Sequence, residues 1–220
     1  MTLSETLAAT AHSAHAIGGR WRGELDEQDQ RFLVKAFHRA ESLAKVALCQ
    51  ALEQVPEQYR SELRAQLTDE ERHVDVFANW HDEAEEAVPS PRLKERTEPV
   101  WFALLLVNEV AGFCQFHMLH GLLGEGAYAD AVAEVAHDEI EHIERLSRWL
   151  EPWREAPAFT DIERIVHRFR RDLDGRMKQF LPRDEFEEFR AELATAIEQL
   201  LLVAFGMSGE RYSEGSRQTE

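Results

Sequence analysis

The sequence predicts an all-α protein, a bundle of four long helices with a further helical pair packed against its C-terminal end. Three observations predict it. Apolar residues recur at spacings of three and four rather than two along almost the whole chain. The 7 prolines and 11 glycines gather at a few points that punctuate those runs. The segments between the breaks are long and their connections short, as a bundle requires. At 220 residues, 44% hydrophobic and 30% charged, the chain is large enough for one well-buried core. It is read as a single domain over 1–220, with the bundle at about 26–150, the C-terminal pair at about 160–205 and a tail at 206–220.

The first helix, about 3–17, is weakly patterned, and Gly18-Gly19 is expected to break it. The second, about 26–54, opens on Asp26, Glu27 and Asp29, acids favoured at the positive end of the helix dipole. Pro56 opens the third, reaching about residue 87, where Val88-Pro89-Ser90-Pro91 stops it. The fourth begins near Pro99 and ends at Gly121 or Gly124. The fifth covers about 127–150 and stops at Glu151-Pro152. Two more, about 160–180 and 183–205, are separated by Leu181-Pro182, and the polar residues 206–220 are expected to fray.

Forty-two acidic residues against 25 basic ones leave a formal charge of −17. Such a field repels phosphate backbones and anionic lipid, so neither nucleic acid nor a membrane is an expected partner. Cys49 and Cys114 sit in apolar periodic segments and read as small buried hydrophobes, which fits a reducing cytoplasm and excludes a disulfide scaffold. Residues 1–17 carry His12 and His15 and lack the basic end and apolar run of a signal peptide, so the expected location is cytoplasmic.

The fourth helix is the most informative. Between Pro99 and Gly124 its only residue among Asp, Glu, Lys and Arg is Glu109, set among Leu105, Leu106, Val110, Phe113 and Phe116. Asn108, Gln115, His117 and His120 interrupt the apolar run, which favours a bundle-centre helix over a membrane span. An ionised carboxylate there costs several kcal/mol, of the order known for buried unpaired charge, unless it is paired, protonated or metal-bound.

The neighbouring helices supply candidates for that compensation. At about 100° per residue, Val132, Val135, Ala136, Ile143 and Leu146 form one arc of the fifth helix, with Glu139 near its centre and His142 beside it. In the third helix Leu63, Leu67, Val74 and Phe77 form the arc around Glu70 and His73. In the second, Glu41 shares a face with Val34, Phe37, Ala44 and Leu48. Glu41 and Glu70 are 29 residues apart and Glu109 and Glu139 are 30 apart, so the chain reads as two helical hairpins, each bearing Glu and then Glu-x-x-His. Chance yields roughly one or two Glu-x-x-His spacings in such a composition. A third does occur, Glu134-x-x-His137, but it falls with Asp130, Glu141 and Arg145 on the polar side of its helix and reads as solvated surface.

Glu41, Glu70, His73, Glu109, Glu139 and His142 are the four carboxylates and two imidazoles that carboxylate-bridged di-iron or di-manganese bundles use. Two divalent cations would let the carboxylates ionise while buried, each metal taking one histidine and two carboxylates bridging. Oxygen-rich ligands with one imidazole per metal suit iron or manganese. Asp69 and Asp138 precede the two motif glutamates. Each is expected to accept the free ring N–H of the histidine in the opposite motif, the alternative being two solvated helix-face aspartates.

On these residues the sequence resembles the ferritin-like di-iron carboxylate superfamily, over roughly 26–150. Its specific part is the pair of motifs Asp-Glu-Glu-Arg-His and Asp-Glu-Ile-Glu-His. The resemblance implies a ferritin-like bundle in which those six residues are ligands and the reduced metal pair reacts with dioxygen or peroxide. Length and the added C-terminal helices are similar to the small bacterial oxygenases, especially the aldehyde-deformylating ones. The 109–117 segment shares with them an aromatic, Phe116, followed by a histidine. It departs from them in a shorter connection between the third and fourth helices and in phenylalanine for tyrosine at 116. Rubrerythrin-type peroxidases carry a further carboxylate where Gly112 stands, and storage ferritins are shorter.

Gly112 either opens space beside the metals, walled by Phe37, Phe77, Phe113 and Phe116, or allows close packing against a neighbouring helix. His38 and His120 face inward by register and read as core histidines. Lys45, one turn after Glu41, either gates the site or snorkels to solvent. The leading expectation is an oxygenase or oxidase carrying two iron ions, with manganese or a mixed pair as the variants. It would activate dioxygen to oxidise a small, largely apolar organic molecule, with electrons from an external donor and with a homodimer allowed. The alternative is a ferroxidase or peroxide-scavenging protein that handles iron; a third is a helical interaction protein with a structural metal.

Overall fold

The computed structural model describes residues 2–80 and 95–207, and the regular structure of those residues is entirely helical. The helices are α1 (Leu3–Arg20), α2 (Glu27–Gln54), α3 (Glu57–Ala78), α4 (Glu98–Leu123), α5 (Ala127–Leu150), α6 (Phe159–Arg171), α7 (Leu173–Phe180) and α8 (Glu187–Ala204). Short 3-10 turns at Glu151–Trp153 and Asp184–Phe186 lead into the C-terminal part.

The ends of these helices follow from local chemistry. At the start of α2 the Asp26 carboxylate accepts from the Asp29 N–H at 2.9 Å, and the Asp29 carboxylate accepts from the Asp26 N–H at 3.2 Å. This reciprocal cap satisfies two backbone donors that a helix start leaves open. Pro99 stands in the first turn of α4, where no N–H is missed. Gly124 and Gly126 take φ of 82° and 111°, which lets three residues turn the chain from α4 back into α5.

Helices α2 and α3 pack as one hairpin and α4 and α5 as another, while α2 meets α4 and α3 meets α5 between the hairpins. Buried apolar residues from all eight helices form one continuous core cluster. Helix α4 lies at its centre, against α1, α5, α6 and α8 as well as α2. It is the one helix among the described residues long and apolar enough to cross a membrane, yet 72% of its most apolar stretch is buried inside the protein.

Several elements differ from the sequence expectation. Helix α1 runs through Gly18-Gly19 to Arg20 because the glycines serve a contact rather than a break. A Cβ on Gly18 would stand 1.9 Å from the Met118 carbonyl oxygen, and one on Gly121 would stand 2.0 Å from the His15 carbonyl oxygen. The two backbones touch there. Helix α3 ends at Ala78 with Asn79 and Trp80 in a turn; the expected remainder at 81–87 and the stop at 88–91 lie outside the described residues. The 160–180 segment divides at Asp172 into α6 and α7. Residues 208–220 of the expected tail are also outside the described residues, while Met207 is buried. Cys114 is buried as expected, but Cys49 is exposed on α2, the apolar periodicity there leaving it off the packed face.

Candidate metal centre

Each half of the cluster is presented by one hairpin. Helix α2 supplies Glu41 and α3 supplies Glu70 and His73; α4 supplies Glu109 and α5 supplies Glu139 and His142. All six are buried, none more than 5% exposed. The i, i+3 spacing of Glu70 with His73 and of Glu139 with His142 places each pair on one helix face, and the apolar arcs around them turn that face into the core.

The side chains converge into two overlapping groups. Ligand atoms of Glu70, Glu109, Glu139 and His142 lie within 4.8 Å of one another, as do those of Glu41, His73 and Glu139. Both histidines point Nδ1 at the cluster. His73 Nδ1 stands 3.3 Å from Glu41 Oε2, and His142 Nδ1 stands 3.1 Å from Glu109 Oε2. Glu70 and Glu139 lie between them. Glu70 sets Oε2 at 3.8 Å from His73 Nδ1 and Oε1 at 3.8 Å from His142 Nδ1. Glu139 sets Oε1 at 3.8 Å from His73 Nδ1 and Oε2 at 3.7 Å from His142 Nδ1. Each of these two carboxylates thus offers one oxygen to each imidazole.

Electrostatics fit a cation site. Burial, then the charges of Glu109 and Glu41, pushes Glu70 well above the ordinary carboxylate range, and burial with Glu109 does the same to Glu139. Burial works against an ionised Glu109 too, but hydrogen bonds to His142 and Glu139 outweigh it and hold that carboxyl below its ordinary value. Burial disfavours a charged His73, yet hydrogen bonds to Asp138 and Glu41 overcome it and raise the imidazole to about 9. Glu70 Oε1 and Glu139 Oε2 are buried with no hydrogen-bond partner. Buried oxygens without donors, facing imidazole nitrogens among four carboxylates, are what a divalent cation would satisfy. The buried Glu/His cluster could therefore hold metal.

The outer ring nitrogens are also engaged. His73 Nε2 lies 3.0 Å from Asp138 Oδ2, and His142 Nε2 lies 3.2 Å from Asp69 Oδ2, so each histidine meets the aspartate of the other hairpin. An acid at Nε2 favours the proton on that nitrogen in the neutral ring, which would leave Nδ1 to a metal. The Arg72 guanidinium, half-exposed, bridges both aspartates from outside.

Two polar residues at the centre escape the sequence reading. Gln66 is fully buried; its Nε2 donates to Glu109 Oε1 at 2.9 Å, and its Oε1 accepts from Arg145 at 2.9 Å. Arg145, expected on the solvated side of α5, is buried instead, with its guanidinium 5.9 Å from the Trp149 ring centre. The available signals were the place of Gln66 on the inward arc between Leu63 and Glu70, and the tryptophan one turn beyond Arg145.

Phe37, Phe77 and Phe116 pack together, with ring centres 5.5, 5.4 and 5.7 Å apart, and Phe180 of α7 joins Phe37 at 5.1 Å. Phe116 reaches to 6.5 Å from the His73 ring, so this apolar wall borders the Glu41/His73 half. Phe113 is buried and meets His117 edge-on at 4.5 Å. Gly112 does face the cluster: a Cβ there would lie 3.2 Å from the Phe116 ring and 3.8 Å from the Glu139 carboxyl carbon. Close backbone contact falls at Gly18 and Gly121 instead. His120 packs against His15 of α1 at 4.8 Å, His38 is half-buried on α2, and Lys45 pairs with exposed Glu71 at 3.5 Å. Glu134 and His137 are exposed, as expected.

Comparison with protein-family models, with curated proteins and with solved structures gives no match for this chain. The functional reading therefore rests on the residues themselves.

Proposed function

We propose that this chain is a ferritin-like, non-haem di-iron carboxylate oxidoreductase that uses dioxygen to oxidise a small, largely apolar organic molecule. One observation carries the reading: Glu70 and Glu139 each present one oxygen to each of two imidazoles, the arrangement of carboxylates bridging a metal pair. Glu41 and His73 would complete one metal position, and Glu109 and His142 the other. Once bound, two iron ions would supply the redox steps that no side chain here can perform.

The chain's own residues do the rest. Asp69 and Asp138 hold the imidazoles in the ligating tautomer. Phe37, Phe77 and Phe116 keep water from the Glu41/His73 side and give an apolar molecule a surface to lie against. Electrons come from a separate donor. The iron-handling alternative needs an acidic entry path, and the outer side at Asp69 and Asp138 is instead spanned by the cation of Arg72.

The test is anaerobic loading with ferrous iron, elemental analysis, and optical spectra after oxygen is admitted. About two irons per chain and an oxygen-dependent spectral change are expected, and Glu109→Ala should lose both. Fewer than one iron per chain under saturating loading would overturn the metal assignment. Iron oxidised once and accumulated, with no reductant-driven oxygen uptake in the presence of apolar substrates, would favour iron handling.

A further inference from the structure

The two halves of the cluster repeat in sequence but not in their supports. Gln66 lies four residues before Glu70; the matching position before Glu139 is Val135. Arg145 lies three residues after His142; the matching position after His73 is Val76. Neither valine can donate or accept a side-chain hydrogen bond. The Glu109/His142 half is thus backed by an amide and a guanidinium, while valines hold the equivalent sequence positions in the other half, whose His73 is bordered by the phenyl wall.

The amide is held at both ends. Its NH2 donates to Glu109 Oε1 and its oxygen accepts from Arg145, each at 2.9 Å. A flipped amide would set its NH2 against the guanidinium and its oxygen against a carboxylate, so this network allows one orientation. Glu109 Oε1 is thereby committed to the amide, while Oε2 faces His142 Nδ1 at 3.1 Å. The groupings are unequal in the same sense, with four residues converging on the Glu109 side and three on the Glu41 side.

We propose that Gln66, braced by Arg145, is a positioning residue that holds Glu109 as a one-oxygen ligand and makes the two metal positions unequal: tight at Glu109/His142, labile at Glu41/His73. This rests on the two-metal reading above. The labile position is the one beside Phe37, Phe77 and Phe116, where exchangeable coordination and apolar surface coincide. A partner fixed in advance costs less to organise on binding, which is why such outer hydrogen bonds commonly change metal affinity by about 10–100-fold.

Metal binding alone tests this, without turnover. Metal-free protein is titrated anaerobically with cobalt(II), followed by its visible absorption and by competition with a chelator. The wild type should bind two ions in two resolved steps. Gln66→Leu, which removes the donor, should weaken the first step about 10–100-fold and leave the second unchanged. Because Gln66→Leu also strands the buried guanidinium, Gln66→Glu is run beside it. That variant keeps a partner for Arg145 and, held ionised by that guanidinium, has no proton to give Glu109; it should show the same selective loss, with folding checked by circular dichroism. Two equal steps in the wild type, an unchanged first step in both variants, or equal weakening of both steps would overturn the proposal. A wild type that binds no cobalt would instead overturn the two-metal reading beneath it.

Discussion

His73 and His142 do different work at their two nitrogens, and the aspartates decide which nitrogen does which. Asp138 accepts from His73 at 3.0 Å and carries Arg72 on its outer side, which with the His73 hydrogen bond holds its carboxyl below the ordinary range against the effect of burial. Asp138→Asn keeps an acceptor but removes the charge that makes the imidazole a better donor to metal. Affinity for one of two bound divalent ions should fall about 10–100-fold, read by chelator competition, with the other ion unaffected. Loss of both ions together would mean that Asp138 supports the fold rather than one ligand. At this scale the convergence of the six side chains was legible from register alone, because a lone acid in an apolar helix and two inward Glu-x-x-His pairs leave little choice of face. Gln66 and Arg145 were not. A neutral amide carries no charge anomaly, and an arginine at the edge of an apolar arc reads as solvent-facing until the glutamine that accepts from it is known to lie opposite.

Helix α1 shows how an element can be misread when a residue type has two uses. Gly18-Gly19 resembles a helix stop, yet only Gly19 has open space where a Cβ would stand; Gly18 and Gly121 let the α1 and α4 backbones touch. Gly121→Ala would drive a methyl into the His15 carbonyl, backbone that cannot yield as a side chain can. It should destabilise the fold by about 1–3 kcal/mol, the usual cost of overpacking, seen in thermal or denaturant melts. Gly19→Ala meets nothing within 4 Å and should instead stabilise by about 0.4–1 kcal/mol, by reducing the freedom of the unfolded chain. Equal effects at the two positions would show that the close approach does not govern α1 packing. The long helices α2, α4 and α5 were legible because caps, periodicity and stop signals agree. The 160–180 segment was not, since nothing in its apolar spacing marks the break at Asp172.

For the whole molecule, the formal charge of −17 divides into solvated acid and a small buried set whose protonation would change with a bound metal. Without metal, Glu70 and Glu139 are pushed toward their neutral forms and His73, at about 9, is protonated at neutral pH. Loading two divalent ions near pH 7 should therefore release protons, that of His73 among them, measurable in weak buffer with an indicator dye. The pH dependence of the metal-free fold has a definite sign. The raised His73 contributes stability that is complete below its unfolded value of 6.5 and is lost as pH rises through about 9. Glu70 and Glu139, raised in the same direction, keep protons in the folded chain that the unfolded chain has already given up, and so also favour lower pH. Across pH 6.5 to 9 the metal-free melting temperature should fall, and the gain on adding metal should grow. A flat or rising metal-free curve would contradict this.

The crossed contacts of His73 with Asp138 and His142 with Asp69 tie this chemistry to the motions of the chain. Neither hairpin carries a complete imidazole support, so α3 cannot swing away from α5 without both histidines losing their orienting acids at once. Opening the cluster and parting the hairpins are then a single event. A bound ion would leave at the rate of that parting, and its dwell time would report the local opening of the bundle as directly as amide hydrogen exchange along α3 and α5.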